Sequence, residues 1–149
     1  MNIHFIKSSE KKEIMKKIGD DFGIDELPYL LIESGKEKIR GFSGHLSKDE
    51  IKEISSILRV ESMGIYLLRK ENNELRLSLD ATHLLRDKIK KSIKLSDIQA
   101  KEWTKGADIE MKTERGVKVI RQDSLFLGCG KSNTEKIFNY VPEDRRIRK

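Results

Sequence analysis

One cysteine, Cys129, stands among 149 residues. A disulfide framework and a cysteine-based zinc site are therefore excluded. Aromatic residues make up only 6% and hydrophobic residues 36%, enough for a small core. No apolar run approaches the ~20 residues that cross a bilayer. The N-terminus lacks the apolar stretch of a secretory signal. These absences set the expectation of a cytoplasmic protein without a membrane segment. His4, His45 and His83 lie far apart and have no partners at metal-ligand spacing. No metal is expected, and His83 reads as a hydrogen-bonded structural residue. Asp20, Asp21, Asp49 and Glu50 have capping or solvation roles, so no acid–base dyad emerges. Cys129, between two glycines, reads as a packed small residue without a general base beside it. No catalytic residue and no cofactor is expected.

What is abundant is charge. Charged residues reach 38%, well above the usual quarter. A surface rich in Lys and Glu with few thermolabile residues is the composition of heat-adapted proteins. That does not explain how the net +6 is distributed. Residues 1–86 hold 15 basic and 15 acidic side chains, whereas residues 87–149 hold 16 basic and 10 acidic. A basic segment joined to a neutral one points to a polyanionic partner for the basic part.

The periodicity predicts a helix from a Ser8/Ser9 cap to Phe22, buried along Ile14, Ile18 and Phe22 and ended by Gly23. Strands follow at 27–32 and 38–42, joined through Glu33-Ser34-Gly35-Lys36. Ser47-Lys48-Asp49-Glu50 is a capping box that opens a second helix, with Leu46 and Ile51 placed as a hydrophobic staple. Ile51, Ile54 and Leu58 continue its expected buried face. Strands at 64–69 and 74–79 meet at Asn72-Asn73, and Leu75, Leu77 and Leu79 mark one buried face. A helical turn is expected at 81–86 and an imperfect strand at 88–95. Ser96-Asp97-Ile98-Gln99 is a second capping box, and its short helix ends at Gly106. Strands are then expected at 108–112, 117–121, 125–130 and 136–141, with Pro142 stopping the last before a basic tail. Trp103 is expected in the core.

Thr82-His83-Leu84-Leu85, Leu95-Ser96-Asp97 running to Lys105-Gly106, Leu127-Gly128-Cys129-Gly130-Lys131, and Ile137-Phe138-Asn139-Tyr140-Val141-Pro142 with Arg145 and Arg146 come in a familiar order. Residues 62–149 resemble the C-terminal region of the Nol/Nop/Fmu family of ribosomal-RNA cytosine-C5 methyltransferases, which carries a PUA-like RNA-binding domain. Cys129 stands where that family often has Trp, and Val141 is inserted before the proline. A Gly-rich S-adenosylmethionine loop and a pair of catalytic cysteines are lacking. The expectation is a stand-alone PUA-domain protein without the methyltransferase domain. Its fold class is α+β: a small N-terminal α/β unit, 1–86, followed by a PUA-like small β-barrel, 87–149.

The resemblance implies non-catalytic binding of structured RNA, ribosomal or transfer, in ribosome biogenesis or RNA modification. Lys131, beside two glycines, either meets a phosphate or is merely solvated next to a bulge. Arg145, Arg146 and Arg148, in a tail ending at Lys149, neutralise phosphates or form a solvated end. Asn139 and Tyr140 either contact bases or complete the barrel's hydrogen bonding. Lys118 and Arg121, alternating with Val117 and Val119, line an RNA groove or solubilise a face. Lys105 sits at a helix end, where a cation also favours the dipole. Residues 1–86 either extend the RNA surface or dock a protein, such as an RNA methyltransferase or a ribosome-assembly factor.

Overall fold

The structure is a computed structural model, and it describes residues 3–58 and 63–148, apart from the side chain of Ser34. Lys149 lies outside the described residues. The chain order is β1 (His4–Phe5), α1 (Ser8–Phe22), β2 (Leu30–Ser34), β3 (Lys38–Phe42), α2 (Lys48–Ile57), β4 (Ile65–Glu71), β5 (Glu74–Leu77) and α3 (Leu79–Leu84). It continues with β6 (Ile93–Lys94), α4 (Asp97–Thr104), β7 (Ile109–Glu110), β8 (Gly116–Gln122), β9 (Leu125–Ser132) and β10 (Lys136–Asn139). A 3-10 turn at Glu143–Arg145 closes the chain.

Strands β1 to β5 form one antiparallel meander. The second sheet runs β6-β8-β9-β10-β7 and curls into a half-barrel. Among the described residues, only the β6–β8 pair is parallel. This is the α+β architecture with a PUA-like second half.

Several local signals act as their chemistry dictates. Gly23 ends α1 in the left-handed region at φ 69°, and its N–H donates to the Gly19 carbonyl. In the first capping box, the Ser47 hydroxyl accepts from the Glu50 amide at 3.1 Å and the Glu50 carboxylate accepts from the Ser47 amide at 2.6 Å. The Ser96–Gln99 box closes in the same way at the start of α4. Asn72 and Asn73 both take positive φ, 50° and 63°, as a two-residue hairpin requires.

Other expectations shift. Ser8 and Ser9 lie inside the first turn of α1, and the capping position falls to Lys7, whose side chain makes no cap bond. The strand expected at 27–32 starts only at Leu30, because Pro28 has no N–H to give a ladder. Leu58 is 62% exposed rather than buried, since α2 has left the core after Ile51. The strand expected at 88–95 shrinks to Ile93–Lys94, its earlier amides being used elsewhere: Lys90 and Lys91 both donate to the Phe22 carbonyl at 3.0 Å.

Packing joins the two halves. One core unites α1, the first sheet and α3 with Val117, Val119, Phe126 and Cys129 of the second sheet. A second, inside the half-barrel, gathers Leu95, Trp103, Ile109, Ile120, Leu127, Ile137 and Val141. Strands β8 and β9 thus contribute to both. Trp103 is wholly buried, and its indole N–H donates to the Leu127 carbonyl at 2.9 Å.

A shared core predicts one cooperative unfolding step. Tryptophan fluorescence, which reports Trp103 in the half-barrel, and far-UV circular dichroism should give coincident urea transitions. Phe22→Ala, in the first core, should move both together by about 3–5 kcal/mol. Two separated transitions would show that the halves unfold independently.

Candidate nucleic-acid interface

The residues read as an RNA surface divide according to what already holds them. Asn139 is fully engaged inside the protein. Its side-chain N–H groups donate to the carbonyls of Trp103 at 2.7 Å and Ala107 at 3.1 Å, and its side-chain oxygen accepts from the Val141 amide at 2.8 Å. It ties the end of α4 to the end of β10, so of its two readings the structure supplies the hydrogen-bonding one.

The Leu127–Lys131 segment is likewise built for packing. Along β8 the register steps from Val119 to Arg121 while β9 steps from Cys129 to Phe126, so β9 carries one extra residue. Gly128, at φ 89°, occupies that bulge. A Cβ on Gly130 would lie 2.6 Å from the Trp103 ring and 2.5 Å from the Phe138 carbonyl oxygen. Lys131 emerges from this strand into an ion pair with Glu74 at 3.0 Å, which raises its pKa. Burial pushes the Cys129 thiol up to about 12, so it stays a neutral, enclosed group.

The tail is tethered. Arg145 makes a two-pronged pair with Asp80, at 3.1 and 3.3 Å. The Arg146 Nε donates to the Val141 carbonyl at 3.1 Å, and its chain covers Gly106. Ile147 is 55% exposed, but its amide donates to the Thr104 carbonyl at 2.7 Å. Arg148 is exposed. Lys105 is exposed at the end of α4, with Glu102 4.0 Å away.

Lys118 and Arg121 do not share a face. Three residues apart on one strand, they leave β8 from opposite sides. Lys118 lines a groove of about 270 Å³ with Lys91 and Arg115, and with the carboxylates of Asp20, Asp21 and Glu114. Burial raises the pKa of Asp21, and the Lys118 charge opposes that rise. Arg121 is held by the Ser92 hydroxyl at 2.9 Å and the Asp123 carbonyl at 2.7 Å. His83 contacts the Phe126 carbonyl at 2.8 Å, the structural role expected of it.

Tyr140 leads to residues that the sequence reading missed. Its ring lies under the Arg76 guanidinium, 4.4 Å from centroid to carbon. Both line a cleft of about 220 Å³ between the two sheets, together with Lys38, Tyr66 and Arg69. Lys38 pairs directly with Arg69 across β3–β4, and Arg69 with Arg76 across β4–β5. The Lys38 ammonium stands 5.1 Å above the Tyr66 ring. A hint was legible, since Leu75 and Leu77 point inward and so turn Arg76 outward. The alignment of three cations was not, because a register shift between Ile39 and Arg40 sets it.

Measurements on Asn139 and Cys129 check these placements. Asn139→Ala should lower stability by about 2–4 kcal/mol, because it orphans buried backbone groups, and should leave RNA affinity of the folded protein unchanged. Cys129 should resist alkylation until the chain unfolds. Its raised pKa also has a sign. Between about pH 9 and 12 the unfolded chain releases the thiol proton and the folded chain keeps it. Stability therefore falls as pH rises there, by up to about 1.4 kcal/mol per pH unit, and Cys129→Ala should remove that component of an alkaline titration.

Residues 90–147 match the family model described as Methyltransferase RsmF PUA domain. Over 150 residues the chain is 28% identical to Ribosomal RNA small subunit methyltransferase F of Vibrio campbellii (strain ATCC BAA-1116). That similarity covers 94% of this chain and 30% of the relative, so the chain spans less than a third of that protein's length. The resemblance read over 62–149 is thus met by a PUA-type match, and the similarity reaches into the first half as well.

Proposed function

We propose that this chain, whose second half is similar to the PUA domain of RsmF methyltransferases, binds folded RNA of ribosomal or transfer type. The observation that carries the reading is the match at residues 90–147. The same stretch forms the half-barrel and lies within the half that holds the positive excess. The role is non-catalytic: a cytoplasmic module that holds RNA during ribosome assembly or for a modification enzyme. Contact with phosphates falls to the exposed Arg148 and Lys105 and to the half-buried Lys118 more than to Lys131 and Arg145, which pair closely with Glu74 at 3.0 Å and Asp80 at 3.1 Å.

A second reading is favoured by one observation. Ile57 and Leu58, at the end of α2, are 73% and 62% exposed. An apolar surface on the first half suits docking to a separate RNA methyltransferase chain.

Binding of the full chain to folded ribosomal- and transfer-RNA fragments and to an unstructured strand, at two salt concentrations, tests the first reading. The folded fragments should bind more tightly than the ~10⁻⁴–10⁻⁶ M of purely electrostatic association. Lys118→Ala with Arg148→Ala should weaken binding and flatten the salt slope by about 0.9 for each lost phosphate contact. Weak binding that ignores RNA fold and survives these changes would overturn the proposal.

A further inference from the structure

The cleft between the sheets has a make-up that neither packing nor solubility explains. Lys38, Arg69 and Arg76 are direct neighbours on three adjacent strands. Like charges placed directly opposite destabilise a sheet. Glu37 bonds Arg69 at 2.7 Å and Glu71 pairs with Arg76 at 3.4 Å, yet among the described residues no carboxylate lines the cleft itself. The Arg69 Nε is buried and has no hydrogen-bond acceptor among the described residues. Tyr66 and Tyr140 add half-buried rings, one from each half of the chain.

Cations beside aromatic rings are the chemistry that takes up unpaired nucleotides, the rings stacking bases and the cations meeting phosphates. Size narrows the occupant. A volume of about 220 Å³ is below the ~300–1,000 Å³ of small-molecule and cofactor pockets. It admits one base or phosphate and not a duplex. Neighbouring strands lie about 4.8 Å apart, so the cation row spans roughly 10 Å. That suits a backbone passing over the cleft better than one isolated anion.

We propose that this cleft captures a single unpaired nucleotide of the bound RNA. Its base lies against Tyr140 and Tyr66, and the flanking phosphates face Lys38, Arg69 and Arg76. The inference rests on the RNA-binding reading above and adds to it that the first half touches RNA and that a single-stranded element is recognised.

The test compares a blunt RNA hairpin with the same hairpin carrying a single-stranded extension, using the full chain. The extension should tighten binding by about five- to 150-fold, the range of stacking one base on an aromatic ring. Tyr140→Leu should abolish that gain and leave the blunt hairpin's affinity as it was. Lys38→Ala should reduce the gain and lower the salt slope for the extended RNA by about 0.7. Lys38 is exposed, so this variant keeps the test decisive if Tyr140→Leu fails to fold. An extension that adds nothing, or a gain that both variants retain, would overturn the cleft proposal alone. Binding of neither RNA by the unmodified chain would overturn it together with the RNA-binding reading.

Discussion

The structure depends on strands β8 and β9 serving two cores at once. Val117 and Val119 face α1 and the first sheet, while Ile120 faces Trp103. On β9, Phe126 and Cys129 belong to the first core and Leu127 to the second. Regular alternation would put 127 and 129 on one face. The bulge at Gly128 inserts the residue that separates them. Without it, either Leu127 or Cys129 would point into the wrong core, and the half-barrel could not both close on Trp103 and seal the first sheet.

That constraint changes the meaning of the residues that made the second half recognisable. Gly128 bends the strand, Gly130 makes room for Trp103, and Asn139 satisfies the end of α4. They are the parts needed to curl this sheet around a short helix. Their presence therefore identifies the fold, and RNA contact has to be argued from other side chains. Lys131 illustrates the difference: it follows the two glycines, and its charge is turned to Glu74.

Much of the architecture was legible because its signals are local. Capping boxes at Ser47 and Ser96, the Asn72-Asn73 turn and the stripe Ile14, Ile18, Phe22 each involve residues close in sequence. What was missed is set at long range. The Lys90 and Lys91 amides are taken by Phe22, which cuts a strand short. Arg145 finds Asp80 across 65 positions. The alignment of Lys38, Arg69 and Arg76 depends on a register shift, which composition does not reveal. The same holds for the candidate site: the sequence marked Tyr140, and the fold supplied Arg76 above it.

The uneven charge of the chain has a corresponding second cause. Lys88 pairs with Glu26, Lys90 with Asp25, Lys131 with Glu74 and Arg145 with Asp80. In each, the cation comes from the second half and the carboxylate from the first. Solvent screens exposed pairs of this kind so strongly that they contribute little, too little to hold the halves together without the shared core. Their larger effect is on where charge remains. These acids of the first half sit at the seam, while among the described residues no carboxylate lines the cleft of Lys38, Arg69 and Arg76, although Glu37 and Glu71 pair with the two arginines from outside it. A half that is neutral in sum thus sets three cations in a row beside Tyr140, while four of its acids are turned to cations of the other half.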